Sequence, residues 1–143
     1  MTAKAQWRQL LQDIHSDQAD YRQLQLALEQ QFSAALAHDA AALSWHADRI
    51  GQLVAQLQQR RLRREQLARQ LLAGNVGRKP SLTALFALLP EPARLRCQQQ
   101  WQALQELAAD CKRLNERNGQ LLLNQHECYQ RVLFGESDTY AAP

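Results

Sequence analysis

The chain has 143 residues, 45% apolar and 22% charged, with a formal net charge of +3. That length supports one domain with one modest core, and the charge alone is too small to demand an anionic partner. Leu, Ala and Gln abound while β-branched residues, which lose side-chain freedom in a helix, are few, so the composition argues against a sheet and for an all-α fold.

The opening "MTAKAQWRQLL" lacks the apolar core of a signal peptide. No apolar run is long enough to cross a bilayer, so a cytoplasmic protein without membrane insertion is expected. From Trp7 the apolar residues recur as Leu10/Leu11, Ile14, Tyr21, Leu24, Leu28, Phe32 and Leu36. Steps of three and four put them on one face of a helix over about 4–37. Asp39 is placed to cap the next helix, over about 40–73, whose stripe is Leu43, Ala47, Ile50, Leu53/Val54, Leu57, Leu67 and Leu71. Trp45 lies off that stripe and reads as core on a second face, because the middle helix of a bundle touches two neighbours. Gly74, Gly77 and Pro80 stop the helix.

Ser81 can cap a short helix over about 81–89 containing Leu82, Leu85, Phe86, Leu88 and Leu89, which Pro90 and Pro92 close. The last helix, about 92–134, carries Cys97, Trp101, Leu104, Leu107, Cys111, Leu114, Asn118, Leu121/Leu122, Cys128/Tyr129 and Val132. "GESDTYAAP", residues 135–143, has the composition of a flexible tail after a single domain of residues 1–134. Long helices need partners, because most helical stability comes from packing the apolar face. The economical arrangement is an elongated antiparallel three-helix bundle with coiled-coil-like packing, one end plugged by the short helix.

Counting in sevens from Leu104 reaches Cys111, Asn118, Gln125 and Val132. Asn115, Asn118 and Gln125 therefore read as seam amides that find partners and set the register, since an unpaired buried amide costs ~1–3 kcal/mol. Gly119 costs ~1 kcal/mol against alanine and reads as a point of close helix approach. The competing reading is an end kept loosely packed so that another helix can enter.

The chemistry-bearing residues form no reactive set. Cys97, Cys111 and Cys128 read as buried, reduced thiols. The four histidines lack metal-ligand spacing, and no phosphate loop or nucleophile elbow is present. Asp13, Asp17 and Asp20 read as an exposed helix face. No catalytic residue, metal or cofactor is expected, and the chain reads as a binding protein. "QQRRLRREQLAR" concentrates arginine, with Arg78 and Lys79 following. It reads as a solvated helix end that meets acidic side chains. Nucleic-acid binding through the Arg60–Lys79 cluster ranks below that, because no aromatic residues interleave with it. A non-enzymatic coiled-coil scaffold or homo-oligomer would need only the apolar stripes.

"LNERNGQLLLNQ" in the last helix resembles the FlgN family of flagellar type III export chaperones. The segments "LEQQFSAALAHDAAALSWHADRIGQLVAQL", "QQRRLRREQ" and "LTALFALLPEPARLRCQQQWQAL" are similar to that family in the same order. The resemblance implies an all-helical cytoplasmic chaperone that binds the terminal helices of hook-associated (hook–filament junction) proteins. It would hold them unassembled and deliver them to the flagellar export gate protein. The C-terminal portion would bind the client, and Leu121, Leu122, Cys128, Tyr129, Val132, Leu133 and Phe134 offer anchors for an amphipathic helix there. Tyr140 in "DTYAAP" matches the gate-contacting tyrosine of the family, although alanine follows it where relatives have glycine. Relatives often carry a longer polar tail.

Overall fold

A computed structural model describes residues 2–73 and 81–141, with side chains through Leu133. Four helices follow one another: α1 (Ala3–Leu36), α2 (Ala40–Leu71), α3 (Leu82–Phe86) and α4 (Ala93–Ala141). The all-α expectation holds, with no strand among the described residues. Caps explain the starts. Thr2, Asp39 and Ser81 each accept from the backbone N–H three residues on, at 3.2, 3.0 and 3.4 Å. α1 stops because His38 takes a left-handed conformation, φ 53°. Its N–H donates to the Ala35 carbonyl and that of Asp39 to Ala34, which satisfies two of the carbonyls a helix end leaves open. No proline lies between Pro92 and Pro143, and α4 continues through Gly135 to Ala141, where the composition reads as a tail.

α1 is the central helix. α2 runs antiparallel to it, since Gln6 meets Gln70, Asp13 meets Arg63 and Asp17 meets Arg60. α4 runs parallel to it, pairing Leu28 with Asn118 and Ala35 with Gln125. The path is therefore up, down and up, as expected of the bundle. One feature departs from a closed bundle: among the described residues α2 and α4 make no close backbone approach to each other. Three long helices share two seams.

Two apolar clusters fill those seams. The lower one joins Leu10, Ile14, Leu67, Ala68 and Leu104 to the buried Leu82, Leu85 and Phe86 of α3, so the short helix does plug this end. The upper one joins Leu24, Leu28, Leu53, Leu57, Cys111 and Leu114.

Charge separates the clusters. Asp17 is only 1% exposed and accepts from Arg60 at 3.1 Å and from Arg64. Asp13, 2% exposed, takes a bidentate pair from Arg63 at 2.7 Å for both bonds, and Asp20 accepts from Arg60 at 2.6 Å. The Arg64 guanidinium also stacks over Trp101, 5.2 Å from the ring centre. The arginine-rich end does meet acidic side chains, but Asp13 and Asp17 are no exposed face. Steps of four and three place 13, 17 and 20 on the side of α1 that packs on α2, where the stripe has a gap between Ile14 and Tyr21. Burial pushes the Asp17 carboxyl above its ordinary pKa, outweighing the guanidiniums of Arg60 and Arg64, which pull it down. At the arginines the balance tips the other way: burial lowers the Arg60 pKa but hydrogen bonds to Asp20 and Asp17 raise it by more, and the bond to Asp13 raises that of Arg63.

Trp45 corrects another expectation: it is 64% exposed. Its helical position lies on the flank of α2 turned away from Ile50 and Val54, and no helix packs there.

Removing one member of the cluster should expose the cost of the rest. Asp17→Ala leaves two largely buried guanidiniums short of a partner and should lower the unfolding free energy by about 3 kcal/mol. Arg61→Ala, which breaks only the exposed pair with Glu65 at 3.5 Å, should change it by less than about 0.5 kcal/mol. Urea titrations followed by circular dichroism would decide, and equal shifts in the two variants would contradict this account.

Candidate interaction surface on α4

α4 is tied to α1 by three rungs at heptad spacing. The Cys111 thiol donates to the Tyr21 carbonyl at 3.4 Å, the Asn118 amide to the Leu28 carbonyl at 2.7 Å, and the Gln125 amide to the Ala35 carbonyl at 2.9 Å. Each rung joins residues 90 positions apart, so a parallel, in-register heptad seam runs between the two helices. Asn118 is 1% exposed and fully partnered. It also donates to Gln31 and accepts from Arg117, whose guanidinium stacks 3.7 Å from the Phe32 ring centre. Asn118 and Gln125 thus both bond to α1 at the positions that the count in sevens marks.

Asn115 and Gly119 behave otherwise. Asn115 is exposed, since it sits three residues from Asn118 and its direction is turned about 60° from that seam. A Cβ built on Gly119 would meet nothing within 4 Å, so no helix of this chain approaches it closely.

The ladder stops where α1 stops. Gln125 binds Ala35, the second-last residue of α1, and one further contact reaches over the turn: the Tyr129 hydroxyl lies 3.5 Å from His38 Nδ1. α4 then continues from 126 to 141, about 24 Å of helix beyond its partner. Leu121 and Leu122, level with the end of α1, are half-buried. Cys128 is exposed, and Tyr129, Val132 and Leu133 are 56%, 59% and 66% exposed. The side chains of Phe134 and Tyr140 lie outside the described residues. The stripe that packs on α1 up to Gln125 continues past the end of α1 as Cys128 and Val132, with Tyr129 and Leu133 on its flank.

Two of the three cysteines match the expectation of burial, and Cys128 does not. Desolvation raises the Cys97 thiol pKa and pushes that of Cys111 up to about 11. Among the described residues no group of His, Cys, Asp or Glu side chains is gathered to hold a metal ion. No described helix is long and apolar enough to cross a membrane.

The family model described as FlgN protein matches residues 1–133. No curated protein and no solved structure matches the chain.

Two measurements follow from this geometry. Gly119→Ala should stabilise the fold by up to about 1 kcal/mol, because alanine favours a helix interior and the new methyl meets open space; a destabilised variant in urea titration would contradict the exposed placement. A thiol reagent near pH 8 should modify Cys128 rapidly and Cys97 and Cys111 only on unfolding. The sign for Cys111 is clear: its folded pKa exceeds the ordinary value of 9.0, so the associated stability is complete below pH 9 and lost as pH rises towards 11. Cys111→Ala should lack that component in alkaline denaturation, and Cys111 labelling as fast as Cys128 would overturn the placement.

Proposed function

The chain belongs to the FlgN family of flagellar export chaperones, and from that premise we propose that it binds the terminal amphipathic helices of hook-associated proteins along the free end of α4. In this reading it acts in the cytoplasm, keeps those helices from assembling early, and delivers them to the flagellar export gate. The observation that carries the site is the coincidence of two limits. α1 ends at Leu36, and the face of α4 that α1 would have covered continues as Cys128 and Val132 with Tyr129 and Leu133 on its flank, and Tyr129, Val132 and Leu133 are all more than half exposed. Leu121, Leu122 and Cys128 extend the surface, with Phe134 and Tyr140 proposed, on the family resemblance, as a further client anchor and the gate contact.

The physics suits a carrier. Burying an exposed aliphatic or aromatic side chain contributes about 1.5–3 kcal/mol, less where the residue is already half-buried. Association itself costs several kcal/mol. A handful of such anchors holds a helix reversibly, which delivery requires. No reacting group is involved.

Calorimetric titration of the chain with terminal-helix peptides from junction proteins tests the reading. One-to-one saturable binding is expected, weakened at least about tenfold in the Leu122→Asp/Val132→Asp variant. Binding should also shield Cys128 from thiol reagents. Unchanged affinity in the variant would remove the site from α4, and a wild-type chain that binds no such peptide would remove the client assignment.

A further inference from the structure

The missing third seam leaves a cleft. α2 and α4 flank α1 without approaching each other, and two open cavities lie between them. The upper one, about 250 Å³, is floored by Tyr21, Leu24 and Leu28 of α1. Its walls are Ile50 and Val54 from α2, and Ala108, Cys111, Lys112 and Asn115 from α4. The lower one, about 350 Å³, lies between Arg61 and Ala68 of α2 and Trp101 and Gln105 of α4. Leu82 and Thr83 of the α3 segment close it below. From Ile50 to Ala68 the α2 wall is roughly 27 Å long, about five helical turns.

One stripe of α4 joins this cleft to the free end. Trp101, Gln105, Ala108, Lys112 and Asn115 step by four and three, and the same steps continue through Gly119, Leu122, His126, Tyr129 and Leu133. On α2, Leu43 and Ala47 continue the Ile50/Val54 flank upward. The upper cleft is apolar on its α1 floor and α2 wall, and small or polar residues face it from α4, where Gly119 has open space around it. Lys112 stands on that α4 wall and forms no ion pair among the described residues. The lower cleft carries Arg61, 64% exposed, with the exposed Glu65 beside it.

We propose that this cleft seats one amphipathic helix of the bound partner, laid between α2 and α4 so that it completes a four-helix bundle, with an acidic residue set against Lys112 in the upper cleft. The inference rests on the chaperone reading above and extends its site from the tip of α4 down the length of the bundle. Three features select this occupant. The cleft is continuous with the free-end surface along one helical stripe. Its floor and upper walls offer apolar contacts at the spacing of a helix face. The unpaired positive charge of Lys112 on the upper α4 wall complements an acidic side chain of the partner. Gly119 then has a role that the fold of the free chain does not give it, namely letting the partner's backbone come close.

The test titrates the full chain with the same junction-protein terminal-helix peptides. Gly119→Gln puts a strong helix former at an exposed site, so folding is preserved while the approach is blocked. Val54→Glu places a charge on the cleft wall. Each should weaken binding at least tenfold with unchanged circular dichroism. Lys112→Glu should weaken it several-fold, with recovery when the peptide's acidic residue facing the upper cleft is changed to lysine. Wild-type affinity in Gly119→Gln and Val54→Glu, alongside loss in Leu122→Asp/Val132→Asp, would overturn the cleft and leave the free-end reading standing. Absence of binding by the wild-type chain would overturn both. Cleft variants that abolish self-association in sedimentation and leave peptide affinity unchanged would assign the cleft to a second copy and overturn the proposal.

Discussion

The fold depends on α1 being gripped on two faces at once by two kinds of polar bond. On the α2 side, Asp13, Asp17 and Asp20 bind Arg60, Arg63 and Arg64. On the α4 side, the Tyr21, Leu28 and Ala35 carbonyls receive Cys111, Asn118 and Gln125. Both sets are periodic, so both fix register as well as contact. Sliding α4 by one residue would break all three rungs together. With the register locked and α1 ending at Leu36, the helix beyond Gln125 has no α1 left to pack against. The length of α1 therefore sets the length of the free end.

Polar locks are an expensive way to hold helices, which bears on what this one must do. Burial raises the Asp17 carboxyl despite two guanidiniums, so apolar side chains there could hold the helices at least as strongly. Apolar seams, however, discriminate poorly between one amphipathic helix and another. A chain that leaves a cleft and a helix face uncovered needs its own helices to refuse exchange with whatever enters. Buried ion pairs and a fully partnered Asn118 supply that refusal, since a foreign helix inserted in their place would leave charges and amides unpaired.

Local signals were readable in the sequence, and non-local ones were not. The caps at Asp39 and Ser81, the stripes, and the heptad run Cys111–Asn118–Gln125 all follow from spacing along one chain. Asp17 defeated that method because a gap in an apolar stripe looks the same whether it faces water or an arginine forty-odd residues away. Trp45 defeated it for a related reason: its burial would need a further helix on the outer flank of α2, and which flanks of a helix are covered is a property of the whole assembly of helices. Asn115 and Asn118 differ by less than one turn, which separates the wall of the cleft from the seam beneath it. The free end was legible as an apolar stripe, while its freedom depends on where α1 stops relative to α4.

An unpartnered helix of sixteen residues is marginal in water, because the first turn fixes several dihedrals for a single hydrogen bond. The free end of α4 escapes that penalty. The segment Cys111–Gln125 is already helical and bound to α1, so residues 126–141 extend an existing helix and need no nucleus of their own. The lock below thus prepares the surface above. A partner helix that packs along α4 meets a backbone whose conformational entropy has largely been removed by the bundle, and less of the contact energy is spent on ordering it. In this way the bonds that Cys111, Asn118 and Gln125 make to α1 would strengthen the proposed binding at Tyr129, Val132 and Leu133.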